Sequence, residues 1–117
     1  LNLVTDGMAA MGLGDGRYQL GSHDVTVANS RATLADGTLA GSTITLDASL
    51  RLLAETVGAP LTDVVATVTS IPAELLGLES YGRIAPGCAA DLVLLTDSGE
   101  VAVTVKAGNA VYKKRNP

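Results

Sequence analysis

Phenylalanine and tryptophan are absent from the 117 residues, cysteine and histidine occur once each, and there are only three tyrosines. Without large aromatic rings the core must be assembled from Val, Leu, Ile and Ala, and a basic face interleaved with aromatics, able to stack on nucleic-acid bases, cannot be built. Charge points the same way: 12 acidic side chains stand against 8 basic ones, a net charge of -4. The isoelectric point lies near 4.7, so no nucleic-acid partner is expected. The single Cys88 excludes an internal disulfide, and with no His beside it in sequence it reads as a buried or strand-edge thiol rather than a nucleophile. No unbroken apolar run of about 18 residues is present, so no membrane span is expected. No signal-peptide pattern is read in these residues, and a cytoplasmic location is expected.

The familiar chemical signatures are also missing. There is no His-x-His, no cluster of His and Cys at metal-ligand spacing, no phosphate-binding glycine loop ending in Lys-Ser or Lys-Thr, and no Gly-x-Ser-x-Gly elbow. His23 opens a strand-like stretch with no second ligand nearby in sequence, which suits a surface or hydrogen-bonded histidine. No metal ligand is therefore assigned to any residue, and the chain alone is expected to hold no catalytic metal. The run Lys113-Lys114-Arg115 reads as a solvated tail.

What is present is an ordered series of short elements. Leu1 to Met8 form an apolar strand pattern that delivers Asp6 to the start of a glycine-rich loop, the way parallel α/β folds present a catalytic carboxylate at a strand's carboxyl end. The competing reading of Asp6 is an acceptor of backbone hydrogen bonds in a turn before Gly7. Tyr18 and Leu20, then Val25 and Val27, alternate as strands do, and Asp36-Gly37 marks a turn. From Leu46 through Leu50, Leu53, Ala54 and Val57 the spacing predicts a helix, with Ser42 or Thr43 as N-cap and Gly58 as its stop. Leu61 to Ser70 is read as helix despite its β-branched residues, and Pro72 as the first turn of a short helix ending at Gly77. Leu92–Leu95, Val101–Val105 and Ala110–Tyr112 read as a meander with one apolar face. A mean hydropathy of +0.33, and a start at Leu1 with no linker or cap, suggest a piece of a longer protein whose apolar faces meet strands from elsewhere.

Four stretches taken in order, Leu3-Val4-Thr5-Asp6-Gly7-Met8, Leu39-Ala40-Gly41-Ser42, Pro72-Ala73-Glu74-Leu75-Leu76-Gly77-Leu78 and Gly82-Arg83-Ile84-Ala85-Pro86-Gly87-Cys88-Ala89-Ala90-Asp91-Leu92-Val93, resemble the C-terminal part of the N-acetylglucosamine-6-phosphate deacetylase family, within the amidohydrolase superfamily. The last stretch is shared widely across the superfamily. The pairing of Thr-Asp-x-Met with Leu-Ala-Gly-Ser is what favours the deacetylases. Read physically, Pro86-Gly87 makes a tight turn and Asp91 accepts backbone N–H bonds, while Leu39-Ala40-Gly41 lets backbone approach a ligand or simply begins a helix.

The resemblance implies an α/β fold: the C-terminal piece of a (β/α)8 barrel, with residues 1–81 supplying the last barrel strand, a hairpin and closing helices. Residues 82–117 would add strands to an accessory β-sandwich. It implies that Asp6 is catalytic, moving a proton from the attacking water to the leaving amine, and that Leu39, Ala40 and Gly41 contact the substrate. That substrate is an amino sugar phosphate, a small molecule, and the cofactor is a divalent metal, zinc or similar, whose ligands lie mostly outside these residues. The family's pattern has Ala where Gly7 stands. A homo-oligomer is expected at full length, and the 117 residues alone are expected to be inactive. The other readings are the same region of another amidohydrolase, such as a deaminase or cyclic amidase, or a non-enzymatic β-rich binding module.

Overall fold

The computed structural model describes residues 1–115. They form a small α/β assembly with two separate antiparallel sheets of three strands each. By packing the chain divides into two units, Val4–Ser49 and a second formed by Leu1–Leu3 with the residues from Leu50 onward.

In the first unit β1 (Gly16–Leu20), β2 (His23–Ala28) and β3 (Arg31–Thr33) pair antiparallel in that order. Strand alternation places Val25 and Val27 on one face, where they are buried, while Asp24 and Thr26 stay exposed. Burying a valine side chain contributes roughly 1.5–3 kcal/mol. Between β2 and β3, Asn29 and Ser30 both have positive φ, 52° and 61°, the pattern of a two-residue type I′ turn. The Asp15 carboxylate accepts the N–H groups of Asn29 and Ser30 at 2.8 and 3.2 Å and fixes that turn. Met8, Ala10, Val25, Val27, Ala32 and Ala40 make the core, with Tyr18 and Leu34 packed on it.

Leu1 to Met8 do not form the strand their pattern predicts. The stretch makes a single parallel bridge, Gly7 to Ser42, and Leu1 and Val4 lie exposed. A strand exists only through its neighbours, and here Ser42 alone offers a ladder partner.

In the second unit α1 (Leu46–Val57) turns Leu50 and Ala54 into a core with Val64, flanked by Leu3, Leu53, Leu61 and Val68. The helix stops at Gly58, φ +67°, with Ala59 N–H bonded to the Ala54 carbonyl at 3.0 Å. Ser42 and Thr43 do not cap it: the Ser42 hydroxyl accepts Ile44 N–H at 3.0 Å, and the Thr43 hydroxyl donates to the Ser30 carbonyl at 3.0 Å. Residues 61–70 are only partly α-helical. α2 (Leu61–Val64) tightens into a 3-10 turn over Val65–Val68, where β-branched side chains crowd and the hydroxyls of Thr67 and Thr69 bond back to the carbonyls of Val64 and Val65 at 2.7 and 2.9 Å. α3 (Ser70–Leu75) then carries Pro72 in its first turn.

The meander appears as predicted, with β4 (Leu92–Leu95), β5 (Val101–Lys106) and β6 (Asn109–Lys113) in sequential order. Gly87, φ +85°, follows Pro86 in a turn closed by Cys88 N–H on the Ala85 carbonyl at 3.1 Å, the pattern of a type II turn. Asp91 accepts Ala107 N–H at 2.8 Å and pairs with the Lys106 ammonium. The basic run is not merely solvated, since the Lys114 ammonium reaches Glu100 at 2.6 Å. Val93 and Leu94 stay more than half exposed. Among the described residues no single helix is long and apolar enough to cross a membrane.

Candidate active site

Asp6 and Gly41, separated by more than thirty residues in sequence, meet inside the first unit, whereas Leu39 and Ala40 are tied to β3, Leu39 bridged to Thr33 and Ala40 bonded to Ala32. Ser42 N–H donates to the Asp6 carbonyl at 2.8 Å, and Met8 N–H donates to the Ser42 carbonyl at 3.0 Å, so the loop's backbone is clamped on both sides of Gly7. Asp6 itself adopts φ 49°, a left-handed conformation that aspartate tolerates better than most residues. Gly41, at φ +95°, completes the fit: a Cβ there would lie 3.1 Å from the Asp6 carbonyl oxygen. Glycine is needed for this close approach.

The three predicted contact residues differ in what they present. Leu39 is 62 % exposed, whereas Ala40 is buried in the core and gives its N–H to the Ala32 carbonyl at 3.0 Å. Gly41 is half-buried.

The Asp6 side chain is exposed and, among the described residues, takes no hydrogen bond or ion pair. The turn-acceptor reading of this residue is therefore overturned. Both nearby donors are committed elsewhere, Gly7 N–H to the Thr5 hydroxyl at 3.2 Å and Met8 N–H to Ser42. Two other carboxylates do act as turn acceptors. Backbone and side-chain hydrogen bonds from Thr38 hold the Asp36 carboxyl below the usual carboxylate range. The Lys106 ammonium, then Ala107 N–H, do the same for Asp91.

A cavity of about 280 Å³ in the same unit is lined by Ala10, Gly12, Gly14, Asp15, Val27, Ser30 and Thr43. Its polar groups serve the fold, since Asp15 holds the β2–β3 turn and Thr43 holds Ser30. No group of three or more His, Cys, Asp and Glu side chains suited to a metal ion exists among the described residues, and His23 is exposed at the start of β2. The residues present do not make a metal centre by themselves. Sequence reading missed Thr5 and Ser42 as the partners of the Asp6 loop. A threonine one position before the aspartate, able to bond two residues ahead, was the available signal for the first.

The chain is similar to known proteins over most of its length. The model of the amidohydrolase family matches residues 3–111. Among curated relatives, N-acetylglucosamine-6-phosphate deacetylase of Bacillus subtilis is 37 % identical over 113 residues, 96 % of this chain and 28 % of that protein. N-acetylgalactosamine-6-phosphate deacetylase of Escherichia coli O157:H7 is 38 % identical over 98 residues, 83 % of this chain and 26 % of that protein. The crystal structure of the N-acetylglucosamine-6-phosphate deacetylase from Thermotoga maritima superposes with a TM-score of 0.90 at 38 % identity, covering 97 % of this chain and 31 % of that one. An aspartate-to-alanine variant of the Mycobacterium smegmatis enzyme, in complex with N-acetyl-D-glucosamine-6-phosphate, superposes at 0.84 with 37 % identity over 94 % of this chain and 30 % of that one. The chain thus spans under a third of the length of these relatives.

Proposed function

The chain belongs to the amidohydrolase family, and from that premise we propose that the whole enzyme removes the acetyl group of N-acetylglucosamine 6-phosphate, giving glucosamine 6-phosphate and acetate in amino sugar catabolism. The observation that carries this reading is the exposed carboxylate of Asp6, which takes no hydrogen bond among the described residues, on a loop held against Gly41 and Ser42. Amide hydrolysis needs a base for the attacking water and an acid for the departing amine, which leaves poorly unless protonated. Asp6 takes the proton from water as the C–O bond forms and returns it to the nitrogen as the C–N bond breaks. One carboxylate performs both transfers. Leu39, Ala40 and Gly41 line the place where the sugar phosphate rests, Leu39 with its exposed side chain and Gly41 with backbone.

The amidohydrolase family is generally divalent-metal dependent. Zinc or a similar ion is the cofactor we assign to the whole enzyme, with ligands outside these residues, because the described ones hold no ligand cluster. In the parent fold, residues 1–81 supply the last strand and closing helices of a (β/α)8 barrel, and residues 82–117 supply strands of an accessory β-sandwich. The exposed apolar residues of β4 suit such a setting. We also assign a homo-oligomer and a cytoplasmic location, the latter because the lone Cys88 suits a reducing compartment.

Asp6→Asn in the whole, metal-loaded enzyme should lower turnover by about 10²- to 10⁴-fold while metal content stays at the parent level. Unimpaired turnover overturns the reading. The similarity to a galactosamine-series deacetylase keeps one second substrate in view, the C4 epimer. Comparing kcat/KM for the two acetylated sugar phosphates decides between them.

A further inference from the structure

The residue directly after Asp6 is Gly7, the one residue type with no side chain to limit its backbone. Ser42 holds the peptide groups on either side of it, through the Asp6 carbonyl at 2.8 Å and Met8 N–H at 3.0 Å. Such pairing fixes a residue in the plane of its ladder, whereas a side chain stands out of that plane, and in that direction Gly7 has nothing of its own. The space is nevertheless filled. A Cβ built on Gly7 would lie 2.8 Å from the Met11 sulfur and 3.5 Å from the Met11 terminal methyl, with the Thr5 hydroxyl oxygen at 3.2 Å, so the Met11 thioether sits where a side chain at position 7 would be. Gly7 does not have positive φ, so its conformation does not call for glycine. Met11 is placed by the core of the first unit: its N–H bonds to the Met8 carbonyl at 2.9 Å, the Met8 sulfur accepts Ala10 N–H at 3.1 Å, and Met8 and Ala10 are both buried. The Met11 side chain itself stays exposed, outside that core.

We infer that Met11 is a positioning residue whose thioether, seated against Gly7, stands in for the absent side chain and keeps the peptide that carries Asp6 from swinging out of the plane in which Ser42 holds it. The inference rests on the reading of Asp6 as the proton carrier. A displacement of about 1 Å at a reacting group can cost about 10²-fold in rate. A steric stop one residue from the carboxylate therefore bears on kcat even where an exposed side chain adds little to stability.

The test uses the whole, metal-loaded enzyme as Met11→Ala, Gly7→Ala, the double variant and Asp6→Asn, each checked for an intact thermal transition. Met11→Ala empties the seat, and kcat should fall by about tenfold with KM within about twofold of the parent. Gly7→Ala puts a Cβ into the same seat. In the Met11→Ala background it should bring kcat back to within about threefold of the parent, and in the parent background, where the seat is already filled, it should give no such gain. A parent-like kcat in Met11→Ala, a double variant as slow as Met11→Ala, or an equal gain from Gly7→Ala in both backgrounds would overturn the inference while a collapsed Asp6→Asn turnover still upholds the proton carrier. An Asp6→Asn enzyme that turns over normally removes the proton carrier and the inference with it.

Discussion

At Asp91 both carboxylate oxygens are occupied, one by Ala107 N–H at 2.8 Å and the other by the Lys106 ammonium, and the bonds tie the chain before β4 to the β5–β6 turn. At Asp6 the backbone is held as firmly, by Ser42 on both sides of Gly7, but the carboxylate itself is left open to solvent. The two regions spend the same side chain differently: in the C-terminal meander its charge holds the fold, whereas in the first unit the fold holds the charge. An aspartate's neighbours therefore say more about its task than its position at the edge of a strand.

The widest expected separation between the two is in turnover. Against the collapse expected of Asp6→Asn, Asp91→Asn should leave kcat per folded molecule at the parent value. A parallel loss in both variants would erase the distinction.

Next in size come the glycines that support each region. At Gly82, φ +78°, a Cβ would lie 2.7 Å from the Thr69 carbonyl oxygen and 2.8 Å from the Ala73 Cβ. Gly82→Ala should cost about 3–5 kcal/mol in urea denaturation, from strained backbone and overpacking together. At Gly41 a Cβ would crowd the Asp6 carbonyl oxygen, at 3.1 Å, and rest in ordinary contact with the Met8 side chain, at 3.5 Å. Gly41→Ala should cost about 1–3 kcal/mol and, unlike Gly82→Ala, should lower kcat in the molecules that remain folded.

The Asp91–Lys106 pair predicts a smaller effect with a defined pH window. The Asp91 carboxyl lies below its ordinary value of 3.8, so its contribution is present above that pH and is lost as pH falls through the depressed folded value. The Lys106 ammonium lies above its ordinary 10.5, because of its hydrogen bond to Asp91, so its share is complete below that pH and is lost as pH rises through the raised value. The Tm difference between the parent and Asp91→Asn should therefore hold steady between these limits and shrink beyond each. A difference that persists undiminished at pH 2 assigns the stabilisation elsewhere.

The smallest effect belongs to Gly7. A Cβ there meets the Met11 sulfur at 2.8 Å, but that atom ends a flexible side chain, and Gly7 does not have positive φ. Gly7→Ala should change stability by no more than about 0.5 kcal/mol. A large loss would mean that Met11 is locked in place.

Much of this is legible in the amino-acid sequence. Alternation of Val25 and Val27, the helical spacing of Leu46 to Val57, the stop at Gly58 and the Pro86-Gly87 turn are local signals, set by steric preference within a few residues, and each appears in the fold. Less legible was the opening stretch, whose apolar pattern promised a strand but found a ladder partner only at Ser42. The helix over 61–70 was half right, because hydroxyls of Thr67 and Thr69 compete for the carbonyls that a full α-helix would use.

Sequence by itself pointed to the family, to the candidate acid and to the elements whose patterns are local, α1 and the C-terminal meander, because these depend on residue identity and short-range spacing. Tertiary structure alone decided that Asp6 and Gly41 are neighbours and that Met8 N–H bonds to Ser42, with the Asp6 carboxylate taking no hydrogen bond among the described residues. Hydrogen-bond partners are chosen by what arrives within about 3 Å in three dimensions, and Ser42 arrives there only after the first sheet and the loop that follows it have folded back.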